Sequence, residues 1–209
     1  EAKDYHLSVG FLGIPILFPT LTDIGRSDLA YRLIQNTTYP SWGYSIEQGA
    51  TTIWERWNSY NKDTGFGDVK MNSFNHYALG ACGEWMFRSM LGIESDGAGF
   101  KKIIMKPELP ALSGVEGGEG ITWAKGHHDT IHGRIASEWK VDGDTFRWAI
   151  TIPANTTATV YMPASDVASI TEGGQAIEEA NGVTFLRMEN GRAVLSVGSG
   201  RYEFVDSGH

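Results

Sequence analysis

Residues 131–152 read Ile131-His132-Gly133-Arg134-Ile135-Ala136-Ser137-Glu138-Trp139-Lys140-Val141-Asp142-Gly143-Asp144-Thr145-Phe146-Arg147-Trp148-Ala149-Ile150-Thr151-Ile152. Ile131, Ile135, Trp139 and Val141 fall on one parity, and Arg134, Glu138 and Lys140 on the other. Phe146, Trp148, Ile150 and Ile152 repeat the alternation. Successive side chains of a strand point to opposite faces, so this is the pattern of strands with one apolar side. Asp142-Gly143 between them is a strong hairpin signal. The same period returns in Ala158, Val160 and Met162, and in Ala193, Leu195 and Val197, with Asn181-Gly182 and Asn190-Gly191 between runs. Short strands at this spacing specify an antiparallel β-sandwich, expected over residues 100–209. The 26 glycines, many of them in turn pairs, agree with it.

Working upstream, the period lengthens to that of a helix. Residues 11–18 are almost continuously apolar, and with Pro15 in the first turn they predict a short buried helix. Ser27 is positioned as an N-cap with Asp28 at the positive end of a helix whose stripe is Leu29, Ala30, Leu33 and Ile34. Asn75 to Leu91 is the strongest helical pattern: Ala78, Cys82, Met86 and Met90 recur every fourth residue, and Gly92 ends it. Residues 58–68 read as a polar loop and Ile93–Phe100 as a linker. These helices are too few to close a bundle. Residues 1–95 are therefore expected to be an incomplete helical domain, and an N-terminal Glu1 in place of Met gives the same expectation of a piece of a longer chain.

A formal net charge of −8 argues against nucleic acid or an anionic membrane surface as partner. No apolar run is long enough to span a bilayer, so no membrane insertion is expected, and a soluble protein is. The compartment stays open between the cytoplasm and a periplasmic or secreted location. The single Cys82 excludes an intrachain disulfide.

The chemistry concentrates in Gly49-Ala50-Thr51-Thr52-Ile53-Trp54-Glu55-Arg56-Trp57, where a carboxylate sits between two indoles. An indole face stacks on the C–H face of a sugar ring, and aromatic walls raise the pKa of a carboxylate toward what a general base needs. The same residues also fit a structural Glu55 paired with Arg56 or with a helix end. His76 opens the long helix and can hydrogen-bond a sugar hydroxyl or orient a carboxylate; a structural histidine is the alternative. Glu47 and Asp68 are rival carboxylates, better suited to solvation or capping. His127-His128-Asp129 with His132 fails as a metal cluster, because neighbours on a strand diverge. Residues 114–120 are glycine-rich but lack the lysine of a phosphate loop. No metal and no cofactor are expected.

The run Gly49 to Trp57, followed by Met71-Asn72-Ser73-Phe74-Asn75-His76-Tyr77, resembles the bacterial α-L-rhamnosidases of glycoside hydrolase family 78. His6 to Gly13, Asp28 to Leu33, Gly133 to Trp139 and Ile152 to Ala158 fit the same family. The resemblance implies the last helices of an (α/α)₆ barrel followed by the sandwich. It also implies inverting hydrolysis that releases terminal α-L-rhamnose from rhamnosides, with one acid on the leaving oxygen and one carboxylate activating water. By motif, Glu55 takes the place of the general base and His76 that of a rhamnose contact; Trp54 and Trp57 are expected as walls of the sugar site. The family's general acid lies in an acidic upstream segment absent from these residues. The chain is thus expected to need the remainder of the barrel as its partner and to be inactive alone. Two other readings stay open: a non-catalytic carbohydrate-binding or scaffolding sandwich, with exposed aromatics such as Trp123 or Tyr161 as its contacts, and an (α/α)₆ glycosidase for another sugar.

Overall fold

The structure, a computed structural model, describes residues 5–110 and 120–208; the glycine-rich run from residue 114 lies outside them except for its last residue. The chain divides into two compact units, the first holding the described residues through Trp85, the second Met86–Glu108 and the described residues from Ile121 onward.

The first unit contains α1 (Ile14–Asp23), α2 (Ser27–Gln35), α3 (Trp42–Glu47), a small hairpin of β1 (Tyr60–Asn61) and β2 (Gly65–Phe66), a 3₁₀ turn over Tyr77–Ala81 and α4 (Cys82–Trp85). α1 runs past the apolar stretch and includes Pro19. It is two-faced rather than buried all round: Ile14 and Phe18 are each 1% exposed, whereas Leu12 just before it is 90% and Ile16 64% exposed. α2 starts at Ser27, but its cap position is Arg26, whose guanidinium grips Asp28 through two bonds of 2.9 and 3.0 Å. That pairing holds the Asp28 carboxyl below its ordinary range; the expected serine cap does not form, and the helix start has no side-chain cap bond. The core is aromatic. Trp85 packs against Phe18 and Tyr31, and Phe18 against Trp42. The indole N–H groups of Trp42 and Trp85 are satisfied, on the Leu79 carbonyl and on Thr22 Oγ1 respectively, each at 2.8 Å.

The expected helix over 75–91 is not uniform. It passes from the 3₁₀ turn through α4 into a π-type turn over Met86–Met90. Gly80 and Gly83 weaken α-helical hydrogen bonding there, since glycine is among the poorest helix formers. The buried row follows Ala78, Cys82, Trp85 and Ser89, leaving Met86 and Met90 half-exposed.

In the second unit the strands are β3 (Ile93–Ser95), β4 (Lys102–Met105), β5 (Trp123–Thr130), β6 (Gly133–Asp142), β7 (Thr145–Ile152), β8 (Thr157–Pro163), β9 (Ile170–Glu172), β10 (Gln175–Ala176), β11 (Val183–Glu189), β12 (Arg192–Val197) and β13 (Gly200–Asp206). They form a six-stranded sheet, β10-β9-β13-β7-β6-β5, and a five-stranded sheet, β11-β12-β8-β4-β3. All pairs are antiparallel except β4 with β8. Ile93–Ser95, read from sequence as linker, pairs with β4 at one edge. Ile131 is a second departure. Thr130 pairs with Gly133, so Ile131 sits in a two-residue loop, 89% exposed. Asn190-Gly191 makes the expected hairpin, Glu189 pairing with Arg192 and both loop residues at positive φ (50° and 71°), which identifies a type I′ turn. Asn181-Gly182 does not close a hairpin; it leads from a 3₁₀ turn at Ile177–Glu179 into β11.

The sandwich core is built where the period-2 pattern put it: Ile135, Trp139, Phe146, Trp148, Val160, Met162 and Leu195 are all no more than 1% exposed. Trp139 and Trp148 are direct cross-strand partners. Their N–H groups find buried acceptors, Trp139 on the Met90 carbonyl at 2.7 Å and Trp148 on Ser137 Oγ at 2.9 Å. Ser137 in turn donates to the Leu91 carbonyl at 2.6 Å. One serine thus satisfies a tryptophan and the carbonyl of the segment leading into β3.

Ser137→Ala leaves both groups unpaired, and the urea midpoint of the sandwich should report a loss of about 1–3 kcal/mol; an unchanged midpoint would contradict this account of the core. Cys82 is buried, and its thiol is pushed up to about 11 by desolvation. A thiol reagent at mildly alkaline pH should label the chain only after urea unfolding.

Candidate active site

Glu55 lies in the loop that follows α3, a helix capped by Ser41, whose hydroxyl accepts the Tyr44 N–H at 3.0 Å. This loop is bound to the segment preceding the Tyr77–Ala81 turn. The Glu55 N–H donates to the Ser73 carbonyl and the His76 N–H to the Ile53 carbonyl, both at 2.9 Å, and Thr52 Oγ1 bonds the Phe74 carbonyl. The Ser73 N–H donates to Glu55 Oε2 at 2.8 Å. The carboxylate is half-buried and has no ion pair among the described residues, so the Arg56 partnership allowed by the sequence does not form. Oε1 is left without a hydrogen bond among those residues, able to accept one from a water or a sugar hydroxyl.

His76 is also half-buried. Its ring stacks on Phe11, with centroids 4.7 Å apart, and on Tyr77 at 5.7 Å. Nδ1 accepts the Ala78 N–H at 3.3 Å, which caps the turn and puts the neutral ring's proton on Nε2, a donor suited to a hydroxyl. The hydrogen bonds between 53–55 and 73–76 therefore tie the segments carrying Glu55 and His76 to each other.

The tryptophans are placed differently. Trp54 is 6% exposed and packs edge-on against Phe74 and Tyr60. Trp57 is half-buried and meets Trp42 edge-on at 5.1 Å. Both line an apolar groove of about 350 Å³ with Trp42, Ile46, Ile53 and Leu79, whose wall does not include Glu55 or His76. The rivals are solvated: Glu47 is exposed, and Asp68 Oδ1 closes a turn by accepting the Lys70 N–H. His127 and Asp129 lie on the exposed side of β5, where Arg134 holds Asp129 through two bonds and lowers its pKa.

Sequence reasoning missed Ser73, Phe11 and the Asn72 anchor, whose Nδ2 holds the Ser59 carbonyl at 3.1 Å. A main-chain N–H leaves no mark in residue identity. Phe11 had a signal only in being aromatic within a helix-leading apolar run.

Residues 1–90 match the family model described as the bacterial alpha-L-rhamnosidase 6 hairpin glycosidase domain, and residues 92–176 that of the bacterial alpha-L-rhamnosidase C-terminal domain. An alpha-L-rhamnosidase of Streptomyces avermitilis is 44% identical over 98% of this chain, which covers 18% of that protein. One from Formosa agariphila is 41% identical over 96% of the chain and 21% of its own length. The crystal structure of the Streptomyces avermitilis enzyme complexed with L-rhamnose superposes with a TM-score of 0.84 at 41% identity, over 98% of this chain and 18% of that one. The chain thus spans about a fifth of the length of the relatives it matches.

Proposed function

The chain belongs to the bacterial α-L-rhamnosidases, joining part of the six-hairpin glycosidase domain to the C-terminal domain, and from that premise we propose that Glu55 is the general base of an inverting α-L-rhamnosidase. In this reading Glu55 Oε1 draws a proton from the water that attacks the anomeric carbon of a terminal rhamnose. His76 Nε2–H donates to a rhamnose hydroxyl. Trp54 and Trp57 line an apolar groove that includes neither Glu55 nor His76, and in this reading they pack the loop that carries Glu55 and do not stack on the sugar. The general acid is supplied by barrel residues outside this chain, and the two carboxyl groups would stand ~6.5–9.5 Å apart to admit the water. Rhamnose-bearing glycosides or oligosaccharides are the substrate class, which the rhamnose complex of the Streptomyces relative supports.

The observation that carries this reading is the state of the Glu55 carboxylate: among the described residues no cation ties it up, one oxygen is fixed by the Ser73 amide, and the other is left to accept. A base must be ionised, oriented and within reach of a proton, and this arrangement provides the orientation without a neutralising partner.

In the intact enzyme, Glu55→Gln keeps the shape and removes the basicity, so kcat on an aryl α-L-rhamnoside should fall by about 10²–10⁴ with a modest change in KM. Turnover close to wild type would overturn the assignment. Proton NMR of the first product formed should show the β-anomer of rhamnose, whereas initial release of the α-anomer would exclude inversion. The 209-residue chain by itself should release no aryl alcohol under conditions in which the intact protein does.

A further inference from the structure

The outward face of the six-stranded sheet carries a second set of residues that neither the core nor Glu55 accounts for. Trp123 begins the edge strand β5 and is 62% exposed, beside a shallow depression of about 350 Å³. Cross-strand register extends it across the sheet, because Trp123 pairs with Lys140, Lys140 with Arg147, and Arg147 with Val205. The next row holds Glu138, Ala149 and Glu203. At a strand spacing of ~4.8 Å, Trp123 and Arg147 stand roughly 10 Å apart, with Glu203 diagonal to Arg147.

Two of the charges are uncommitted. Lys140 leans toward Asp142 at 3.5 Å and Glu138 is paired with Lys125 at 2.8 Å. The Arg147 guanidinium and the Glu203 carboxylate make no hydrogen bond or ion pair among the described residues. The depression therefore offers a flat aromatic platform, a forked donor and an acceptor, with small or aliphatic Ala149 and Val205 between them.

We propose that this face binds the neutral sugar residues of a polysaccharide, with Trp123 stacking on one ring and Arg147 and Glu203 hydrogen-bonding the hydroxyls of a neighbouring one. A sugar is both apolar on its C–H face and amphoteric in hydrogen bonding, which matches a tryptophan flanked by one donor and one acceptor. A polyanion is disfavoured by Glu138 and Glu203 among the cations. A protein partner is disfavoured because interface cores are depleted of charge, whereas charges of both signs fill the centre of this face. If the proposed function holds, a polymer bound here is retained on the same protein that trims its terminal residues.

The test is native electrophoresis of the intact protein in gels containing a neutral arabinogalactan or a mixed-linkage β-glucan, run with excess free L-rhamnose. Wild type should be retarded by at least one of the two. Trp123→Ala should weaken that retardation about tenfold, the loss of one stacked ring. Trp123→Tyr, which keeps an aromatic face, should restore most of it, and Arg147→Met should weaken it alone. Trp123→Ala should leave kcat/KM on a small aryl rhamnoside unchanged. No retardation of wild type by either polymer, or full retardation of Trp123→Ala, would overturn the proposal. Loss of self-association in Trp123→Ala without an effect in the sugar gels would assign the face to a protein contact and overturn it equally.

Discussion

The hydrogen bonds joining Ile53–Glu55 to Ser73–His76 are the constraint on which the candidate site rests. A carboxylate that is to act on water has to be held still without being neutralised. A salt bridge to arginine would orient it but would also occupy its lone pairs and lower its basicity. A backbone amide orients one oxygen while carrying no net charge. The same exchange fixes the entry to the Tyr77–Ala81 turn, and His76 completes that entry by capping the turn with Nδ1. Orientation of the carboxylate follows from this pairing, and the tautomer of the imidazole from the Ala78 N–H that Nδ1 accepts.

In the sandwich the corresponding constraint is the satisfaction of buried polar groups. Two tryptophans lie opposite each other across β6 and β7, and each brings an N–H into a core from which water is excluded. Ser137 and the Met90 carbonyl accept those donors. Arg192 plays a similar part at the far sheet: it is largely buried, bridging the Pro107 and Tyr161 carbonyls and the Glu108 carboxylate. Burial pushes its pKa down and Glu108 counteracts that, so the carboxylate and the two carbonyls compensate the desolvated guanidinium. In both places a polar residue joins elements far apart in sequence. Removing one partner would cost more than the bond itself is worth.

The sandwich was largely legible because alternation is imposed by the pleat of each strand. Phe146, Trp148, Ile150 and Ile152 could lie only on one side, and they are the core. Errors came where a residue fits the parity but sits in a turn, as Ile131 does, or where a short strand such as Ile93–Ser95 has too few residues to show a period. In the helical unit, apolar spacing located the elements but not their type, since the departure from α-geometry over residues 77–90 falls where Gly80 and Gly83 weaken the helix, a matter of composition that the apolar period does not report. In the candidate site, Glu55 and His76 stood out as residue types in a distinctive run, whereas the groove that Trp54 and Trp57 line, whose wall includes neither of them, could be read only from the structure.

The sequence by itself determined what repeats along the chain: where the period is two, where it is near four, which turns demand positive φ, and which motif carries a carboxylate between indoles. Those properties are local, set by backbone geometry within a few residues. Only the tertiary structure decided that the Glu55 carboxylate meets the Ser73 amide, that Arg56 does not pair with it, and that Arg147 and Glu203 find no partner among the described residues beside Trp123. A polar group takes the partner that long-range packing brings within about 3 Å, and nothing in residue spacing encodes which of many competing partners arrives there.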